Sequence, residues 1–136
     1  KKYTHTHITP GHAQLIMRTK GFKDLDLTGI WITCGSDPVE WNIIEAFVNR
    51  GATFMANWGM SEIGPCAINR VFRTTEDIQS VKDEQTILGT LEWCETKIID
   101  SELHVRGDIC VYDGWFATGD LVKRKNGILY YLGRKT

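Results

Sequence analysis

The chain has 136 residues, of which 42% are hydrophobic and 24% are charged, and its formal net charge is −1 at pH 7. These values are ordinary for a folded protein of one domain or two small subdomains, and they exclude disorder. A nearly neutral chain also offers no electrostatic basis for binding nucleic acid. No apolar run approaches the roughly 20 residues that cross a bilayer, so we expect no membrane span and a cytoplasmic location.

The cysteines also exclude two classes of site. The chain contains Cys34, Cys66, Cys94 and Cys110. No pair has the C-x-x-C spacing of zinc sites or thioredoxin-like redox motifs. We therefore expect reduced thiols in or near the core.

The first half of the chain begins with a helix pattern and a strand pattern. Thr9 followed by Pro10 is typical of a helix start, and the helix is predicted to stop before Gly21. Residues 29–34 are a short run of β-branched and aromatic residues, which predicts a buried strand.

A second helix and a second strand follow. The helix is predicted to begin at residues 36–38, where a capping residue precedes Pro38, and to end at Gly51. Residues 52–56 then predict another buried strand. A strand–helix–strand unit favours parallel pairing, and ligands of such sheets bind at the carboxyl ends of the strands. The apolar face of the helix is formed by Trp41, Ile44, Phe47 and Val48.

The second half of the chain is predicted to contain short strands. Residues 73–85 are polar and without periodicity, so we predict a loop with at most one weak helical turn. Strong turn signals occur at residues 100–101, 113–114 and 126–127. Strands are predicted at residues 89–93, 96–99, 102–105, 109–112 and 128–132.

These patterns predict an α/β fold. A strand–helix–strand portion with a parallel sheet would occupy residues 1–84. A small distorted antiparallel β-barrel or a curled sheet would occupy residues 85–136, because several short strands lie close together in the sequence.

Residues 58–65 could form a ligand site at the end of a strand. The ring of Trp58 offers a flat face for a purine, and Gly59 lets the backbone approach a ligand closely. Ser61 offers a hydroxyl to a phosphate oxygen, and Glu62 offers a carboxylate suited to Mg²⁺. Taken alone, the segment is equally compatible with an ordinary loop, because short motifs often match by chance.

Two later segments contain further candidates. Asp120, in the segment 114–121, could accept hydrogen bonds from ribose hydroxyls or could satisfy its own turn. Arg134, in the segment 127–135, could contact ribose or phosphate or could be a solvated charge. For each residue, the local sequence alone does not show whether it contacts a ligand or has an ordinary structural role.

Together the segments resemble the ANL superfamily of adenylate-forming enzymes, which includes acyl-CoA synthetases, luciferases and nonribosomal adenylation domains. Residues 58–62 match the family's aromatic-Gly-x-Thr/Ser-Glu motif, and residues 115–120 match Trp-Phe-x-Thr-Gly-Asp. Residues 127–134 match a Gly-x-Leu…Gly-Arg strand. Residues 33–38 are similar to the family's Gly-rich segment before a helix, and residues 102–107 to its Glu-Leu-x-Val-x-Gly strand.

The resemblance implies an adenosine site. Trp58 would stack on adenine, and Asn57 would help to recognise the adenine amino group. Asp120 would bind the ribose hydroxyls with help from Arg134. The implied nucleotide-binding residues are Gly35, Ser36, Asp37, Asn57, Trp58, Gly59, Met60, Ser61, Asp120 and Arg134.

The resemblance also implies a reaction. A carboxylate would attack the α-phosphorus of ATP to give acyl-AMP and pyrophosphate, and a thiol such as CoA would then take the acyl group. Ser61, at the α-phosphate, and Glu62, holding Mg²⁺, are the implied catalytic residues. The implied partner is a small carboxylic acid, with no nucleic acid, and a homodimer is left open.

Two parts of the family have no counterpart in these residues. The phosphate loop that ends in Pro-Lys would lie before residue 1, and the small domain with the catalytic lysine would follow residue 136. We therefore expect part of a ligase, inactive or very weak alone. Two alternatives are a non-catalytic module that binds an adenine nucleotide or a partner, and a structural β-rich domain with chance motifs.

Overall fold

A computed structural model describes residues 4–60 and 62–136, without the side chains of residues 65 and 66. The prediction for the Cys66 thiol therefore lies outside the described part. The described residues form ten strands in two five-stranded sheets, together with three α-helices. The strands are β1 His5–Ile8, β2 Trp31–Cys34, β3 Thr53–Met60, β4 Gly64–Phe72, β5 Thr86–Gly89, β6 Leu91–Glu92, β7 Glu95–Ile99, β8 Glu102–Arg106, β9 Phe116–Lys125 and β10 Ile128–Arg134. The helices are α1 Pro10–Met17, α2 Trp41–Val48 and α3 Thr75–Gln79, and a 3-10 turn covers Phe22–Asp24.

The first sheet has the order β1-β2-β3-β4-β6. The pairs β1–β2 and β2–β3 are parallel, and β3 pairs with β4 in the antiparallel direction. The predicted strand–helix–strand unit with parallel pairing is therefore confirmed as β2–α2–β3. Pairing between β2 and β3 ends at Cys34 and Ala56, so the last four residues of β3 extend beyond β2.

The two longer helices have the predicted boundary residues with one exception. Thr9 caps α1 by accepting a hydrogen bond from the His12 backbone N–H at 3.2 Å, and Gly51 follows α2 with a φ of 96°. The predicted start of α2 at residues 36–38 is wrong, because the helix begins at Trp41. The preceding segment is not helical, and it buries Val39 to 2% exposure in the core.

The core of the first sheet lies between its strands and the face of α2 that the periodicity predicted. Phe54 is fully buried, and its ring centroid lies 5.9 Å from that of Phe47. Trp41 packs edge-on against Phe72 at 6.0 Å and donates its indole N–H to the Gln85 carbonyl at 3.0 Å. The four predicted apolar residues of α2 are all buried: Trp41, Ile44, Phe47 and Val48.

The second sheet is antiparallel with the order β5-β10-β9-β8-β7. The predicted antiparallel part is confirmed, but the sheet is not closed into a barrel. Its edge strands, β5 and β7, do not pair with each other within the described ranges. The turn at Asp100 and Ser101 has φ values of 49° and 69°, and the turn at Asn126 and Gly127 has values of 53° and 80°.

Two segments of the second half differ from their predictions. Residues 109–112 do not form a strand, because the Val111 backbone N–H bonds to the Glu62 carbonyl at 2.7 Å instead of to a ladder. The Thr-Gly-Asp segment lies inside the ten-residue strand β9, not in a turn before it. The weak helical turn predicted within residues 73–85 corresponds to α3.

The division at residue 84 stays a prediction, and we note that β6, which lies after it, pairs with β4 of the first sheet. Among the residues that the structure describes, no helix is long and apolar enough to cross a membrane.

Candidate functional site

A cavity of about 890 Å³ lies at the carboxyl ends of β2 and β3 and is bounded on the other side by the second sheet. Residues from at least six segments of the chain contribute to its wall. They are His7, Gly35, Ser36, Asp37, Pro38, Val39, Asn57, Trp58, Gly59, Met60, Glu62, Gly64, Ile87, Leu88, Asp120, Tyr131 and Arg134.

The structure brings together the candidates that the sequence analysis named from four separate segments. Residues 35–37, 57–60 and 62 line the cavity together with Asp120 and Arg134. Ser61 lies outside the described residues. The roles assigned to all of these residues stay predictions.

Gly35 lets the segment after β2 pack directly on β3. A Cβ atom at this position would lie 3.0 Å from the backbone oxygen of Asn57 and 3.2 Å from its Cβ. Both distances are tighter than ordinary van der Waals contact. A larger residue at position 35 would therefore displace Asn57 or the segment itself.

The side-chain amide of Asn57 is buried and unpaired. The residue is 7% exposed, and neither its Nδ2 nor its Oδ1 atom has a hydrogen-bond partner among the described residues. Buried polar groups are nearly always paired, and an unpaired one costs about 1–3 kcal/mol. Asn57 belongs to the cavity wall, but its Nδ2 and Oδ1 atoms are themselves covered, so a ligand in the cavity would reach the amide only after the side chain moves.

Trp58, Asp120 and Arg134 form a hydrogen-bonded group in the cavity wall. The indole N–H of Trp58 donates to Asp120 Oδ2 at 2.8 Å, and Arg134 Nη1 donates to Asp120 Oδ1 at 2.7 Å. Asp120 is only 5% exposed, and its hydrogen bond raises the pKa of Arg134. A carboxylate has about four lone-pair sites, so two hydrogen bonds leave capacity for further donors.

The Thr118-Gly119-Asp120 segment has a fixed backbone. Thr118 Oγ1 donates to the Leu103 carbonyl at 2.8 Å and accepts from the Asp120 N–H at 3.1 Å. Gly119 has a φ of +78°, a conformation that favours glycine. These constraints orient the Asp120 side chain toward the cavity.

Glu62 is half-buried at the cavity wall, just after β3. Within residues 4–60 and 62–136, no group of three or more His, Cys, Asp and Glu residues could hold a metal ion by itself. A single carboxylate nevertheless fits Mg²⁺, which keeps several waters and takes its other ligands from substrate phosphates. Glu62 is thus compatible with a metal that arrives with a nucleotide.

Several wall residues were not predicted from the sequence. His7 lies at the carboxyl end of β1, and its Nδ1 is 2.7 Å from Thr33 Oγ1. Its place follows from parallel pairing with β2, which could have indicated it. Ile87 belongs to β5, whose pairing with β10 no local pattern reveals. Tyr131 lies in the third motif, and burial raises its pKa.

Solved structures of adenylate-forming enzymes share this fold over nearly the whole chain. The anthranilate CoA ligase AuaEII, in complex with anthranoyl-AMP, is 16% identical with a TM-score of 0.77, over 96% of this chain and 30% of that one. The adenylation domain of a keto acid-selecting NRPS module, bound to keto acyl adenylate, is 18% identical with a TM-score of 0.75, over 96% and 35%. Wild-type E. coli MenE, with a bound analogue of OSB-AMS, is 18% identical with a TM-score of 0.72, over 96% and 30%.

The resemblance that the motifs indicated is therefore confirmed at the level of the fold. The chain spans about a third of the length of these structures. No protein-family model matches the chain, and no curated protein matches it either.

Proposed function

We propose that this chain forms the adenosine-binding part of an ATP-dependent ligase that converts a carboxylic acid to its acyl-AMP and then to acyl-CoA. Support comes from the cavity at the carboxyl ends of β2 and β3, where polar and aromatic groups from three motifs meet. It also comes from the shared fold, since two of the similar structures hold an acyl adenylate.

The observation that carries the proposal is the unpaired amide of Asn57. An amide offers both donors and an acceptor, and the amino edge of adenine offers the complementary acceptor and donor. A buried amide without a partner lowers the stability of the free protein. Adenine would satisfy the amide once a movement of the Asn57 side chain exposes it to the cavity, and part of the free-energy penalty in the free protein would then become affinity for the nucleotide.

Trp58 and Asp120 would bind the rest of the adenosine. Base stacking on an aromatic ring is worth about 1–3 kcal/mol, and the indole N–H bond to Asp120 holds the Trp58 ring in place. The remaining lone pairs of Asp120 would accept the ribose hydroxyls, while Arg134 compensates the buried charge.

The chemical step needs groups on the phosphate side of the site. A substrate carboxylate oxygen would form a bond to the α-phosphorus, and the bond to the pyrophosphate oxygen would break. Mg²⁺ would neutralise the charge that develops on the phosphates. We propose Glu62 as its protein ligand and Ser61 as a donor to the α-phosphate. CoA as the acyl acceptor and a cytoplasmic location belong to the same proposal.

The test is isothermal titration calorimetry with AMP on the wild type and on Asn57→Ala. We expect the variant to bind AMP about three- to tenfold more weakly, because one or two hydrogen bonds are lost. We also expect its stability to urea to be unchanged or higher, because the unpaired amide has been removed. Asn42→Ala is the matched control, since Asn42 is exposed on α2 outside the cavity.

The two readouts separate a ligand-binding residue from a structural one. A loss of stability with unchanged affinity would show that Asn57 serves the fold, and it would contradict the proposal. Pyrophosphate release across a panel of carboxylic acids then distinguishes a ligase from a module that binds the nucleotide without catalysis. A protein that binds AMP but releases no pyrophosphate with any acid, in its full-length form, would be the non-catalytic binding module.

A further inference from the structure

Glu102, Gly119 and Lys135, which do not line the cavity, form a closed ring of hydrogen bonds. Glu102 Oε2 accepts the backbone N–H of Gly119 at 2.9 Å, and Glu102 Oε1 accepts the Lys135 ammonium at 3.0 Å. The Lys135 backbone N–H donates to the Gly119 carbonyl at 2.7 Å, which completes the ring. Glu102 is itself buried, with 7% exposure.

The ring joins the two strands that provide the polar side of the cavity. Gly119 precedes Asp120 on β9, and Lys135 follows Arg134 at the end of β10. A shift of either backbone within the ring would therefore move the neighbouring site residue. The 2.7 Å bond between Arg134 and Asp120 depends on both.

The surroundings of Glu102 favour its charged form. Hydrogen bonding to Lys135 lowers the pKa of the carboxyl group, opposed by burial and assisted by the Gly119 N–H. The His104 imidazole lies 3.7 Å from Glu102 Oε1. Glu102 does not border the cavity, so a contact with the nucleotide does not explain its burial.

We propose that Glu102 is a positioning residue for nucleotide binding, which acts by fixing Gly119 and Lys135 and so aligns Asp120 with Arg134. This inference rests on the proposed function, since its effect is on adenosine affinity. The buried carboxylate of Glu102 would affect nucleotide binding only through the position of Asp120.

A double-mutant cycle tests whether the effect passes through Asp120. We expect Glu102→Ala to weaken AMP binding about tenfold in calorimetry, because the Asp120 carboxylate loses its alignment with Arg134. In an Asp120→Asn background, the same change should alter affinity by less than about twofold. The matched control is Glu95→Ala, which removes an exposed carboxylate of the neighbouring strand β7, bonded to Arg106 at 2.7 Å.

A second measurement does not depend on nucleotide. Amide hydrogen exchange at Gly119, followed by NMR in the free protein, should rise about tenfold in Glu102→Ala because the N–H loses its acceptor. Glu102→Gln guards against a variant that does not fold. It keeps an oxygen for the Gly119 N–H but loses the ion pair, so we expect about threefold weaker AMP binding and slower exchange than in Glu102→Ala.

The outcomes distinguish this inference from the proposed function. Unchanged Gly119 exchange in Glu102→Ala, or an equal loss of affinity with and without Asp120, overturns the positioning role. If the wild type binds AMP and Glu102→Ala binds it equally well, the positioning role is overturned while the proposed function stands. If the wild type binds no AMP, the proposed function fails and this inference fails with it.

Discussion

Gly119→Ala should perturb the site through a single added methyl group. Gly119 has a φ of +78°, and a Cβ atom would lie 2.8 Å from Arg134 Nη2 and 3.1 Å from Arg134 Cζ. The left-handed backbone costs an alanine about 1–2 kcal/mol relative to glycine. The guanidinium group must also move, because 2.8 Å is below the closest approach of a real Cβ atom. We expect this movement to lengthen the 2.7 Å bond from Arg134 to Asp120.

Gly127→Ala provides a matched control for the backbone effect. Gly127 has a φ of +80° in the turn between β9 and β10, and nothing lies within 4 Å of its Cβ position. Both variants should therefore lose about 1–2 kcal/mol of unfolding free energy. Only Gly119→Ala should also weaken AMP binding, by about tenfold, because only there is the contact between Arg134 and Asp120 disturbed.

Urea denaturation measures the unfolding free energy of the two variants, and calorimetry measures their affinity for AMP. The thermal midpoint should fall by about 4 °C for each kcal/mol in a chain of this size. Equal AMP affinity of the two variants would refute the reasoning, since it would mean that the position of Arg134 does not affect the site.

Two further predictions concern the stability of the fold. Asp83 accepts hydrogen bonds from the Gln85 N–H and the Lys123 ammonium, which lower its pKa to about 2. Because the folded pKa lies below the ordinary value, this stabilisation is fully present above about pH 4 and is lost as the pH falls toward 2. Urea midpoints measured over that range should decline less in Asp83→Asn than in the wild type, and parallel declines would contradict this assignment. Phe54→Ala should lower the unfolding free energy by about 3–5 kcal/mol, because Phe54 is fully buried. Leu132→Ala, at a residue that is 42% exposed, should lower the unfolding free energy by less than about 0.5 kcal/mol in the same urea titration. Similar losses of unfolding free energy in Phe54→Ala and Leu132→Ala would contradict the assignment of Phe54 to the core.

The sequence predicted the two longer helices and the parallel strands β2 and β3 best, because these elements depend on local periodicity and capping, whereas the parallel strand β1 was not predicted. The apolar spacing of α2 and the cap at Thr9 were sufficient for this. The start of α2 was missed because Pro38 and its neighbours also suit an extended segment, and burial of Val39 decides between the two. β4 was not predicted, since its antiparallel pairing with β3 is a tertiary choice.

The candidate site shows the same division. Residues 35–37 and 57–62 could be located from the rule that ligands bind at the carboxyl ends of parallel strands. Asp120 and Arg134 required the motif resemblance, because no local pattern shows that β9 and β10 approach β3. The bond between Trp58 and Asp120 joins residues that are 62 positions apart, and only the fold reveals it. The buried, unpaired state of the Asn57 amide is likewise a property of packing.

A crystal structure of the protein with AMP would test the proposed adenosine site most directly. We expect adenine to lie between Trp58 and residues 35–37, with its amino edge within hydrogen-bond distance of the Asn57 amide. The ribose hydroxyls should contact Asp120. If the structure at saturating AMP shows the nucleotide elsewhere, or shows no nucleotide in this cavity, the assignment of these residues to an adenosine site is contradicted.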